Sequence, residues 1–127
     1  MIKLIQCVKC RTGIPAVEFR RFWQQYGRRL RDLAVEIQAV RCTMSTALVI
    51  DANLEIMLNR GTAAAFDGVA EIWHRDGPAA LAALQQPAAQ ARVHDLWSLQ
   101  EEFMDLQRSS FFLAFEDEVF EIPAAGA

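Results

Sequence analysis

Residues 19–37 read FRRFWQQYGRRLRDLAVEI. Phe19, Phe22, Trp23, Tyr26, Leu30, Leu33, Ala34 and Ile37 recur at three- and four-residue steps, the spacing of one face of an α-helix. Large aromatics crowd two turns of that face, so a broad apolar surface must lie opposite. Arg20, Arg21, Gln24, Gln25, Arg28, Arg31 and Asp32 form the other face, which suits water. Pro15 is placed for the first helical position, where its missing N–H costs nothing. The helix is expected to run to Gln38. Gly27 in its middle costs about 1 kcal/mol against alanine and is where a bend or break is expected.

The flanking segments supply that opposite surface. Ile2–Val8 is rich in β-formers, with Ile2, Leu4 and Gln6 on one face and Lys3, Ile5 and Cys7 on the other. Val40–Ile50 reads as a second strand. Asp51–Phe66 has no clean period and reads as a long connection with a short helix at Leu54–Leu58. Asp67-Gly68 turns into a third strand, Val69–His74. Gly77-Pro78 opens a short Ala/Leu helix that Pro87 ends, and Ala88–Gln107 is a further helix. Phe111–Ile122 reads as the last strand, and the tail Pro123–Ala127 as loose. The order β-α-β-β-α-β predicts one α+β domain over residues 1–127. It is the ferredoxin-like arrangement, an antiparallel sheet with helices on one face. The strands are apolar on both faces, and one helix layer covers only one of them. The pattern therefore predicts a homodimer in which two sheets pack face to face.

The chain has 127 residues, 13 basic and 16 acidic, for a net charge of -3. That balance points away from nucleic acid and from anionic membranes as partners. No run approaches the ~18 apolar residues of a membrane span, and the opening MIKLIQCVKC reads as a strand rather than a signal peptide. A cytoplasmic location is expected. The three cysteines, Cys7, Cys10 and Cys42, are an odd number and read as reduced thiols. Cys7 and Cys10 spell C-x-x-C, but within a strand their side chains diverge, and too few further ligands stand near them. Neither a phosphate loop nor a nucleophile elbow is present, so no metal and no cofactor is expected.

Three segments resemble proteins of the EthD domain family. They are MIKLI followed by a charged turn and EFRRFW (Glu18–Trp23), then FDGVAEIW (Phe66–Trp73), then FMDLQRSSFFLAFEDEV (Phe103–Val119). Together they span nearly the whole chain in the family's order. The resemblance implies a dimeric α+β barrel and a small hydrophobic ligand. The family is named for ethyl tert-butyl ether degradation, and its relatives include dehydratases, cyclases, isomerases and cofactor-free oxygenases of aromatic or polyketide-like compounds. One position departs. The family's W-x-x-x-H-G-P-L pattern places His four residues after the helix tryptophan, where this chain has Gly27, with Arg28-Arg29 in place of Gly-Pro and Leu30 retained. Tyr26 is adjacent but points about 100° away on a helix.

Glu71 is the sharpest candidate for acid-base work. It shares a strand face with Val69 and Trp73. If that face meets the helix, Glu71 lies beside Trp23 and Tyr26 in a setting that raises a carboxylate pKa. The structural alternative is a Glu paired for stability alone. Trp23, Tyr26 and Trp73 are candidate walls for a flat apolar ligand, the alternative being plain core. His94, three residues before Trp97, is the weaker catalytic candidate, standing in for the imidazole absent at Gly27. His74 is expected at the surface or an interface. Arg41 is a candidate partner for Glu71 or for an anionic ligand. The expectation is one cavity per subunit between the helix stripe and the sheet. It would serve an EthD-like protein that binds, or transforms without metal, a small hydrophobic or aromatic compound of a catabolic or polyketide-type pathway. The alternative is a non-catalytic accessory protein of such a pathway.

Overall fold

The aromatic stretch forms α1, Ala16–Glu36, which runs unbroken through Gly27. The expected break is absent because Gly27 packs over β2, where a Cβ would sit 3.5 Å from Met44 Cε, ordinary contact distance. Pro15 stands at the N-cap with extended backbone rather than in the first turn. At the other end Gln38 adopts a left-handed φ of 59°, and Ala39 N donates to Ala34 O at 2.9 Å, which closes the last turn.

The computed structural model describes residues 1–124, so positions 125–127 of the expected loose tail lie outside the described residues. Four strands, β1 (Ile2–Val8), β2 (Arg41–Thr46), β3 (Gly68–His74) and β4 (Ser110–Phe115), form one antiparallel sheet in the order β2-β3-β1-β4. β3 lies between β1 and β2, and β1 lies between β3 and β4. That is the split βαβ of the ferredoxin-like α+β fold. The single chain makes an open sheet, not a closed barrel. β2 and β4 are both shorter than their sequence pattern suggested. β2 pairs only as far as Thr46 opposite Gly68. β4 ends at Phe115 opposite Ile2, and Glu116 N then donates to Met1 O, beyond which β1 offers no partner.

The remaining helices are α2 (Asp51–Arg60), α3 (Gly77–Leu84) and α4 (Pro87–Phe103). α2 is longer than the short helix expected there and buries none of its residues, which is why its sequence shows no period. Pro87 ends nothing: it is the first residue of α4. α1 and α4 pack on one face of the sheet. Register and burial place Leu4, Gln6, Val8, Gly68, Ala70, Ile72, Cys42 and Met44 on that face. Phe19, Trp23, Tyr26, Leu30, Leu96, Leu99 and Phe103 fill the space above. Gly68 is required here. A Cβ on it would come within 2.6 Å of the Trp23 ring. The aromatic stripe therefore lies on a strip of the sheet with almost no side chains.

Candidate functional site

The strand alternation decides which candidates meet. Lys3, Ile5, Cys7, Val69, Glu71, Trp73, Arg41, Thr43 and Phe112 face away from the helices. Glu71 therefore does not lie beside Trp23 and Tyr26, since the helix layer took the Gly68-Ala70-Ile72 face, whose small residues leave room for the aromatics. On the open face Glu71 Oε1 accepts from Lys3 Nζ at 3.2 Å. Trp73 is buried beneath two cations, Arg41 at 4.6 Å and Lys3 at 4.9 Å from its ring. Its indole N–H donates to Glu116, and this bond, with Lys3 next, holds the Glu116 carboxyl below its ordinary value. Arg41, Trp73 and Glu71 form one group; Trp23 and Tyr26 stand on the other side of the sheet.

Trp23 and Tyr26 stack at 5.7 Å in the core against Phe103. At their position the Trp23 ring lies directly on the Gly68 backbone of the sheet. Trp23 Nε1 is buried without a partner among the described residues. Tyr26 is different. Its hydroxyl donates to Gln6 Oε1 at 2.6 Å and accepts from Gln100 Nε2 at 2.9 Å. Gln6 and Gln100 are the buried polar side chains of this core. Burial pushes the Tyr26 phenol up to about 12, against the opposing hydrogen bonds of Gln100 and Gln6. At neutral pH this is a neutral, directed relay and not a base.

The relay ends at a cleft. Gln100 and Trp97 from α4, Leu106 from a 3-10 turn at Leu106–Arg108, Ser109 directly after that turn, and Phe111 from β4 surround about 390 Å³, with Glu101 at the side. β4 is one of the sheet's two edge strands, and α1 and α4 do not extend over it, so Phe111 on the helix side stays exposed and becomes a wall. His94, exposed on α4, meets Trp97 edge-on at 5.2 Å, which places this candidate beside the cleft. Trp97, Gln100, Gln6 and Phe111 carried no sequence signal as a site. Gln6 and Gln100 are apolar-face positions occupied by amides, which was the one trace available. A second cavity of about 210 Å³ lies under α3, lined by Ile2, Leu4, Ile72, Leu81, Leu84 and Leu113 among others. His74 is at its edge, with both ring nitrogens engaged: Asp76 N donates to Nδ1 at 3.0 Å, and Nε2 lies 3.0 Å from Ile37 O.

Solved structures share this architecture. A dimeric ferredoxin-like protein of unknown function from Bacteroides fragilis superposes with a TM-score of 0.60 at 10% identity, over 89% of this chain and 93% of its own. An EthD family protein from Bacillus halodurans matches at 0.60 and 14% identity, over 92% and 99%. SnoaB, a cofactor-independent oxygenase from Streptomyces nogalater, matches at 0.54 and 15%, over 93% and 94%. No curated protein is recognisably similar in sequence. The EthD domain model itself matches residues 11–107, well over half of the sequence, and the chain belongs to the EthD domain family.

Proposed function

We propose that this EthD protein binds a small aromatic compound bearing a hydroxyl or N–H group, in the cleft between α4 and β4. The observation that carries the reading is the buried Gln6–Tyr26–Gln100 relay ending in a cavity walled by Trp97 and Phe111. Aromatic walls take a flat ring. The relay commits Gln100 Nε2 to Tyr26 and leaves Oε1 as the acceptor for a ligand's O–H or N–H. An amide floor and a phenol held neutral bind and orient; they do not remove protons at neutral pH. Binding is therefore the function the geometry supports best, with or without a reaction. The titratable groups nearest a bound ring are Glu101 in the wall and His94 beside Trp97, so any acid-base step belongs to them rather than to Glu71.

The test is titration with phenol and 2-naphthol, followed through the Trp97 indole signal by heteronuclear NMR. Saturable shifts that Gln100→Leu weakens at least several-fold support the reading. Unperturbed spectra at millimolar ligand sink it. Glu71→Gln is expected to leave binding unchanged, because its carboxylate lies across the sheet.

The chain is also proposed to act as a homodimer. Its supports are the uncovered apolar residues of β4, Phe112 on the open face among them, and the dimeric Bacteroides relative of the same fold. Light scattering at micromolar concentration checks this, and a monomer there would refute it.

A further inference from the structure

We infer that the ligand of the cleft carries an unbranched alkyl chain, which lies in the apolar slot under α3. The inference rests on the proposed aromatic-binding reading and adds the class of compound.

The register places the two cavities in adjacent rows of one sheet face. On β1 and β4, Gln6 pairs with Phe111, and this row belongs to the cleft and its relay. The next row on the same face is Leu4 with Leu113, and both residues line the slot. A two-residue step along a strand is roughly 7 Å. Ile2, one row further, lines the far end of the slot. A ring held at Gln100 therefore has the slot along the strand from it.

The lining of the slot selects hydrocarbon. Ile2, Leu4, Ile37, Ile72, Leu81, Leu84 and Leu113 present methyl and methylene groups. The one polar side chain there, His74, has its Nδ1 occupied by Asp76 N and its Nε2 against Ile37 O. A ligand oxygen or charge in the slot would meet no partner and would lose its hydration. The volume, about 210 Å³, exceeds the ~150 Å³ apolar cavity that takes up benzene, so a chain of a few carbons fits. α3 forms the roof without burying any of its own residues. Its first residue, Gly77, approaches Ile2 and its last, Leu84, packs against the core, whereas Leu81 between them stays exposed, and a chain beneath the helix would cover it.

The experiment compares phenol, 4-ethylphenol and 4-butylphenol by calorimetry and by the same NMR signals. Each methylene moved from water into the slot should tighten binding roughly four-fold, so butyl should exceed ethyl by about an order of magnitude. Ala80→Phe, which fills the slot from α3, should leave phenol affinity unchanged and erase the gain from the chain. Leu81→Ala, which enlarges it, should retain the gain and extend it to hexyl, and it serves if Ala80→Phe does not fold. Equal affinity across the series, as a slot occupied by protein side chains would give, overturns the inference while phenol binding still stands. A chain-length gain that survives Ala80→Phe overturns it too. Failure of every compound, phenol included, is failure of the aromatic-binding reading instead.

Discussion

Replacing Tyr26 by phenylalanine tests the buried relay directly. The ring remains, stacked on Trp23 and edge-on to Phe103, so packing changes little. What is lost is one hydroxyl with two partners, Gln6 Oε1 at 2.6 Å and Gln100 Nε2 at 2.9 Å. A buried polar atom left without a partner costs about 1–3 kcal/mol. Gln6 lies under the helix layer and cannot easily be rehydrated, whereas Gln100 lines the cleft, where water can replace the phenol. The expected loss is therefore about 2–3 kcal/mol, most of it from Gln6. Urea unfolding at a fixed protein concentration measures it, the fixed concentration being needed because a dimer's stability depends on it. Replacing a whole buried polar pair by apolar groups of similar shape is close to neutral. Gln6→Met in the Tyr26→Phe background should thus recover more than half of the loss, although Gln6→Met alone destabilises. A Tyr26→Phe protein within about 0.5 kcal/mol of the parent, or a double variant showing simple additivity, would refute the claim that these side chains act as one unit.

Tyr26 is the only tyrosine in the chain, so an ultraviolet titration near 295 nm reads it alone; the phenol should ionise near 12 and not near its ordinary 10. Its folded value is raised, so its contribution is complete below pH 10 and is lost as pH climbs through 12. Gly68→Ala drives a Cβ to 2.6 Å from the Trp23 ring, and overpacking of this kind should cost about 2–3 kcal/mol in urea. Gly27→Ala meets only ordinary contact with Met44 and should raise stability by up to about 1 kcal/mol; a clear destabilisation would show that α1 needs flexibility there. Glu116 has a lowered folded pKa, through Trp73 first and Lys3 after it. Its contribution is full above the ordinary value of 4.5 and is lost as pH falls through the folded value, so the acid limb of a stability profile should be flatter in Glu116→Gln.

Alternation showed correctly which strand residues share a face, but not which face meets the helices. Val69, Glu71 and Trp73 looked as fit for burial as Ala70 and Ile72, because both faces are apolar. The deciding feature was size. Trp23 can lie flat only where a strand offers Gly68, and Ala70 continues that low strip. A glycine and an alanine alternating beneath an aromatic helix stripe were legible in FDGVAEIW, but only to a reading that weighed volume as well as polarity. α1 was legible from its period, and the element order from turns and β-formers. α2 was not, since a helix with no packed face has no reason to be periodic. Strand ends were misjudged at β2 and β4 for a related reason. Beyond β2 the chain stays apolar through Ile50, and beyond β4 apolar residues recur among the acids as far as Ile122, but pairing stops where the neighbouring strand does. The cleft and its relay were illegible because Gln6 and Phe111 are brought together only by the strand register, and Gln100 reaches Gln6 only through Tyr26 of a third element.

The edge strand β4 links cavity and assembly, and one substitution separates them. Its helix-side residues Phe111 and Leu113 are left uncovered by α1 and α4 and wall the two cavities, whereas Phe112 between them points to the opposite face. An uncharged edge strand exposed on both faces invites pairing with other chains unless it is covered. The proposed dimer covers one face, and the proposed ligand fills the other. Phe112→Lys should therefore weaken self-association, since it replaces an aromatic ring by a charge on the face the dimer would bury, while leaving phenol affinity within about two-fold at a protein concentration where the variant is monomeric. Light scattering and calorimetry on the same sample give both readings. Retained dimer with lost binding would mean that the strand has been assigned its faces the wrong way round. Loss of both together would mean that the second copy completes the cleft, and that a single chain is not the unit that binds.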